Sequence, residues 1–583
     1  MAETVADQLV AQLSAAGVKR IYGIVGDSLN PVVDAVRRSG GSAKGGIDWV
    51  HTRHEEAAAF AAAAEAQLTG TVTACAGSCG PGNLHLINGL YDAQRSSAPV
   101  IAIAADIPSI EVGSNYFQET HPIRLFNECS WYNEHISTAQ QAPRVVHHAL
   151  QIAQGRSGVA VVTLPGDLAE KEAVGRAPQY TRPAAPSVTP DDETVKKFAE
   201  LNNKSKKVAI FAGIGVAGAH DEVLAFADKV GAPIGHSLRG KDFIQYDNPN
   251  DVGMTGLLGY GAAHAGIHDA DLLILLGTDF PYEQFLPDDV TTVQVDIAAE
   301  RLGWRTPIDL AVHGDVLSTL AALDPMVKDK RNKSYLKKML KRHDELMTKS
   351  VGAYTKNVQD LVPIHPEYIA SILDDLADDD AVFTMDTGMT TVWGARYINP
   401  TGRRRTLGSF THGSMANALP QAIGAQLTDP NRQIVSMSGD GGLGMLMGEL
   451  LTVGMYKLPV KILVFNNSTL GMVKAEMLVA GLPDFGVDVP GVDYSALGTA
   501  LGMHSQRVEQ PGDVEAALTA ALEHDGPALV DFVTDPMALS VPTKITPDQI
   551  MGFAAGVSKL VLGGGAGEAM KMAKSNLRNI PRN

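Results

Sequence analysis

The stretch 436–473, SMSGDGGLGMLMGELLTVGMYKLPVKILVFNNSTLGMV, does most to limit what this chain can fold into. An apolar run stops in the turn Gly439-Asp440-Gly441-Gly442, a helical segment follows, and the strand-like KILVF leads to Asn466-Asn467. Glycines in such a turn let the backbone approach a phosphate group, and the helix that follows offers unpaired N–H groups at its start. The Asp440 carboxylate, the Asn467 side-chain carbonyl and a backbone carbonyl near Thr469 are hard oxygen donors. With a diphosphate they would complete an octahedron around Mg²⁺. A glycine turn alone says little. The same turn answered by an Asn-Asn pair at the end of the next strand is far more specific.

Strand and helix alternate elsewhere too. In the first part IYGIVG, WVHTRH, TVTACA and PVIAIAA are short apolar runs separated by helical stretches such as EEAAAFAAAAEAQL. That rhythm predicts parallel sheets covered on both faces. At 583 residues the chain is too long for one core. The expectation is an α/β protein of three doubly wound parallel-sheet domains. The first covers 1–180 and is followed by the proline-bearing linker TRPAAPSVTP. The second covers 191–325, with strands KVAIFAG, API, LLILLG and TVQVDI, and 326–364 contains a Lys/Arg-rich connecting helix. The third covers 365–546, with strands AVFTMD, QIVSMSGD, VKILVFNN and ALVDFV. A tail over 547–583 closes the chain.

A formal net charge of -17 argues against nucleic-acid binding. Cys75, Cys79 and Cys129 are too few for a disulfide framework and lack zinc spacing, so they read as plain thiols in a reducing compartment. MAETVADQLV lacks the basic and apolar regions of a secretory signal. The expected location is the cytoplasm, or the inner face of the cell membrane. Ile550, Phe553, Ala554, Val557, Leu560 and Val561 could share an apolar helical face, and from Lys559 onward the basic residues Lys559, Lys571, Lys574, Arg578 and Arg582 stand against one acid, Glu568. Such an end can attach to anionic lipid, although Gly563-Gly564-Gly565 interrupts it.

The GDG…NN pattern resembles the signature of thiamine-diphosphate enzymes of the pyruvate oxidase and acetolactate synthase family. The segments SFTHGSMANALPQAIGAQ and AGSCGPGNLHLINGLYDA are most similar to its quinone-linked branch. The resemblance implies thiamine diphosphate with Mg²⁺, and oxidation of pyruvate through FAD to a membrane quinone. Acetolactate synthesis, or an oxidase that makes acetyl phosphate, are the alternatives. It also implies a homo-oligomer, commonly a tetramer, whose sites lie between the first domain of one subunit and the third of another.

Residue by residue, the family's RHE motif matches Arg53-His54-Glu55, making Glu55 the acid that holds the aminopyrimidine. Burial in an apolar turn favours the protonated form such a group needs. His85, Phe117, Gln118 and Glu476 correspond to groups near the reacting carbon. Gly413-Ser414-Met415 matches the segment that props the cofactor, with Met415 as the wedge. Asp440, Asn467 and Thr469 would hold the metal, and Gly441, Gly442, Ser468, Leu470, Gly471, Met472 and Val473 would border the cofactor. Met472 stands where quinone-reducing relatives carry an aromatic residue. In the second domain Met254-Thr255-Gly256-Leu257, Gly277-Thr278-Asp279-Phe280-Pro281 and Asp296 resemble FAD-binding segments. By fold alone that domain could equally be empty.

Overall fold

The computed structural model describes residues 2–330, 332–538 and 566–578. The first sheet contains β1 (Arg20–Gly23), β2 (Asp48–His51), β3 (Thr73–Gly77), β4 (Val100–Asp106), β5 (Tyr132–His135) and β6 (Val159–Pro165). Its order is β2-β1-β3-β4-β6-β5 and every pair is parallel. Strands β3, β4 and β6 are buried along their whole length, as a sheet covered on both faces requires.

The second sheet holds β7 (Val208–Ala212), β8 (Ile234–His236), β9 (Asp251–Met254), β10 (Tyr260–Gly261), β11 (Leu272–Leu276), β12 (Thr291–Asp296) and β13 (Leu310–His313). Its order is β10-β9-β8-β7-β11-β12-β13, with β10 antiparallel to β9 and the remaining pairs parallel. The third holds β14 (Val382–Met385), β15 (Arg405–Gly408), β16 (Ile434–Gly439), β17 (Lys461–Asn466), β18 (His504–Val508) and β19 (Ala528–Val533). Its parallel order, β15-β14-β16-β17-β19-β18, repeats that of the first sheet. The α/β expectation of three doubly wound sheets therefore holds. Edge strands β15 and β18 escape the apolar-run criterion because RTLG and HSQRV are largely polar.

The Lys/Arg-rich connection forms the helix Ser334–Lys349, which buries Tyr335, Leu336 and Met339 and leaves its charged side to solvent. The apolar tail face at Ile550, Phe553, Ala554, Val557, Leu560 and Val561, with the Gly563–Gly565 break, lies outside the described residues. The helix Ala566–Asn576 is described and docks on the body. Met572 is buried, and Asn576 Nδ2 donates to the Met537 carbonyl at 2.7 Å. Among the described residues no helix is long and apolar enough to cross a membrane.

Candidate active site

The acid end of the site is built where β2 runs into the helix Glu55–Thr69. His54 caps this helix, its Nδ1 accepting from the Glu56 N–H at 3.2 Å. The third domain reinforces the turn: the Glu449 carboxylate accepts from the Arg53 and His54 N–H groups at 2.8 and 3.0 Å. Burial pushes Glu449 up, against the lowering effect of those bonds. Residues Ala57–Ala64 are all buried, so this helix is apolar all round and packs on every side. Small residues permit the closeness. A Cβ on Gly424 would lie 2.1 Å from the Ala61 carbonyl oxygen, and one on Gly89 would lie 2.6 Å from Ala59 Cβ.

Glu55 is 6% exposed, and its Oε2 lies 2.9 Å from His85 Nδ1. The His85 ring stacks on His54 at 4.4 Å between centroids. Burial, and the His85 charge, hold His54 below the usual imidazole range. Gly82 leaves the space beside Glu55 open, since a Cβ there would sit 3.0 Å from Oε1. Gln118 is close by: a Cβ on Gly80 would meet its carbonyl at 2.8 Å, and its Oε1 accepts from the Cys79 thiol at 3.4 Å. Phe117 is 78% exposed. Glu55, His85 and Gln118 thus cluster around the Gly80–Gly82 turn.

The phosphate end is built at the end of β16. Asp440 opens the short helix Asp440–Met445, and burial pushes its carboxyl up to about 6. Its Oδ2 accepts from the Ser468 N–H at 2.7 Å, and its carbonyl from the Tyr494 hydroxyl at 2.8 Å. A buried carboxylate whose neighbour Asp531 is also acidic is suited to a bound cation. The two asparagines divide their roles. Asn466 points down into the domain, donating to Asp531 and the Val492 carbonyl at 2.9 Å each. Asn467 points to the cleft, as alternation along a strand dictates.

Asp440, Gly441, Gly442, Asn467, Thr469, Leu470, Gly471, Met472, Val473 and Met415 all border this cleft. The donor set of carboxylate, amide oxygen and Thr469 backbone carbonyl fits a hard divalent cation. Glycine is needed at 442, where a Cβ would fall 1.8 Å from Asp386 Oδ2. Met415 lies close to the turn: a Cβ on Gly441 would be 3.5 Å from its Cε. Ser468 is exposed with φ +55°, and its N–H serves Asp440.

A second cleft runs between the second and third domains. Met254, Thr255, Gly256, Leu257, Gly277, Thr278, Asp279, Phe280 and Pro281 border it, joined by Gly413 from the third domain. Gly213 and Gly277 permit the close crossing of two turns, a Cβ on Gly213 falling 2.3 Å from the Gly277 carbonyl. Asp296 lies behind this wall, within reach of the charges of Arg301 and Asp279 that border the cleft, its Oδ1 accepting from the Ala298 N–H at 2.8 Å. Glu476 is exposed on the helix Gly471–Val479, beside Tyr282 of the cleft wall.

Several contributors carry no mark that the motif reading used. Asp386, Thr387 and Gly388 follow β14 directly, and Thr387 and Gly388 border both clefts. Inspection of every strand end would have found them. Arg239 and Arg301, which line the second cleft, lie in segments without any such signal.

Three family models match: thiamine pyrophosphate enzyme N-terminal TPP binding domain over 3–125, central domain over 195–323, and C-terminal TPP binding domain over 386–532. The chain belongs to the thiamine pyrophosphate enzyme family.

It is 35% identical to a putative thiamine pyrophosphate-containing protein, YdaP, of Bacillus subtilis, over 95% of this chain and 96% of the relative. It is 30% identical to a pyruvate oxidase of Lactiplantibacillus plantarum, over 90% and 87% of the two chains. To the large subunit of acetolactate synthase isozyme 2 of Escherichia coli it is 29% identical, over 91% and 95%.

Proposed function

We propose that this protein oxidatively decarboxylates pyruvate to acetate and CO2, with two electrons passing through FAD to a membrane quinone. Pyruvate, water and quinone are consumed; acetate, CO2 and quinol are formed. The observation that carries this reading is the adjacency of the two clefts, which share Thr387, Gly388 and Met472 as common wall. A group bound in the second cleft would lie next to the reacting end of the first. Thiamine diphosphate, when bound, supplies a carbanion-stabilising carbon for decarboxylation. Asp440, Asn467 and Thr469 would hold its Mg²⁺, and Glu55 would hold a proton at the aminopyrimidine. His85 and Gln118, grouped with Glu55, would bind the substrate carboxylate.

Glu55 borders neither cleft of its own chain. This supports a site completed by a second copy, in a homo-oligomer that we expect to be a tetramer. Attachment to the inner face of the membrane through anionic lipid is part of the proposal, resting on the basic tail. Liposome flotation with and without pyruvate tests it, and equal recovery in the soluble fraction removes it.

The catalytic proposal is tested by anaerobic stopped-flow spectroscopy of the purified holoprotein. Pyruvate should bleach the flavin band and a quinone analogue should restore it. Absence of bleaching, with acetolactate as product, would transfer the protein to the acetolactate synthase reading. Peroxide and acetyl phosphate formation would transfer it to the oxidase reading.

A further inference from the structure

The proposed site relies on Met415, held by a loop of unusual geometry. Gly413 has φ +77° and Ala416 has φ +67°, so left-handed residues flank Ser414 and Met415. An alanine stays in that region only where its surroundings enforce it. The third domain supplies part of the restraint: the Gly413 N–H donates to the Ser409 carbonyl at 2.7 Å, and the Ser414 N–H to Ser409 Oγ at 2.9 Å. The Asp386 carboxylate, also of the third domain, accepts from the Ala416 N–H, and a further restraint comes from the first domain, through one residue of the helix Pro81–Arg95.

That residue is Asn88. Its Nδ2 donates to Glu56 Oε1 at 2.6 Å and to Ser414 Oγ at 2.8 Å. Its Oδ1 lies 2.8 Å from His412 Nε2. The orientation of the amide follows from its partners, because a carboxylate only accepts and His412 can donate. Ser414 Oγ in turn donates to the Met415 carbonyl at 2.9 Å. The His412 ring stacks on Tyr91, one turn further along the same helix, at 5.6 Å and 9°. A short chain of hydrogen bonds therefore joins Glu56, the neighbour of Glu55, to the backbone of Met415.

We propose that Asn88 is a positioning residue for thiamine activation, which straps the Met415 loop to the turn carrying Glu55 and Glu56. It touches neither cofactor nor substrate in this role. The proposal rests on the reading that Glu55 and Met415 serve the thiamine site. Three features favour strapping over general packing. Every polar atom of the Asn88 side chain is engaged, its three partners come from two domains, and two of them lie in the loop itself.

The experiment follows the exchange of the thiazolium C2 proton for deuterium, by acid quench and NMR. It uses the full-length protein loaded with thiamine diphosphate and Mg²⁺. Asn88→Ala should slow this exchange on the order of tenfold, the scale expected from a small misplacement of a reacting group. Ser414→Ala should slow it as well, and the double variant should be no slower than the worse single one. Asn88→Asp keeps the size of the side chain but loses the donor and faces Glu56 with a second carboxylate, so it should be at least as slow. It also serves if the alanine variant folds poorly. A merely structural role would lower the melting temperature without changing exchange in the folded holoprotein. Exchange within twofold of wild type in either Asn88 variant overturns the proposal, as does simple additivity with Ser414→Ala. Glu55→Gln is the separate control. If it exchanges normally, the thiamine reading of the acid has failed; if it alone is slow, only the role of Asn88 has.

Discussion

The first and third domains share one strand order and differ in what they hang on it. In each sheet the second strand in chain order lies at an edge and the third is central. After the third strand each domain makes a glycine turn: Gly77-Ser78-Cys79-Gly80 in one, Gly439-Asp440-Gly441-Gly442 in the other. After the second strand each presents a group to the proposed cofactor, Glu55 following β2 and Met415 following β15. Parallel topology fixes these places, because ligands gather beyond the carboxyl ends of the strands. Side-chain chemistry then assigns the roles. The third domain places a carboxylate in its glycine turn, where a cation can neutralise it. The first leaves that turn uncharged and puts its acid at a helix start.

The largest expected effect separates the two acids. Glu55→Gln should lower turnover by about 10²–10⁴-fold, the usual worth of a general acid–base group. Binding of Mg²⁺ and thiamine diphosphate, measured by calorimetry, should stay within a few fold. An equal loss of cofactor binding would break the comparison. Conversely, Asp440→Ala should weaken that binding by about 100-fold or more, the upper end of what even outer-shell partners of a metal cost.

The same carboxylate sets a pH dependence. Asp440 in the cofactor-free protein is pushed up to about 6 by burial, and a protonated carboxyl is a poor cation ligand. Affinity for Mg²⁺ and thiamine diphosphate should be level above that pH and fall by about tenfold per unit below it. In Asp440→Asn the profile should flatten over that range. The smallest effect sharpens the difference between the glycine turns. Gly442→Ala would force a Cβ into Asp386 Oδ2, and should cost about 1–3 kcal/mol of stability. Thermal unfolding of the cofactor-free protein reads this directly. The first domain's turn does accept side chains: its Ser78 hydroxyl shares a hydrogen bond with Ser28 Oγ at 2.9 Å.

The sequence by itself determined the alternation of strand and helix, hence three parallel α/β sheets, and it marked both ends of the proposed site. Motif and strand end coincide at 439–442 and 466–467, because a glycine turn after one strand is answered by an amide pair at the end of the next, a pairing that common turn residues form only where two strand ends share a site. Tertiary structure alone decided which side chains support them. Glu449 pins the Arg53–His54 turn from another domain, Asp386 fills the hollow behind Gly442, and Asn88 reaches Ser414 across 326 positions of chain. Periodicity and motif record local conformation. A hydrogen bond between distant segments leaves no such trace, because either partner alone would be an ordinary polar residue on a helix.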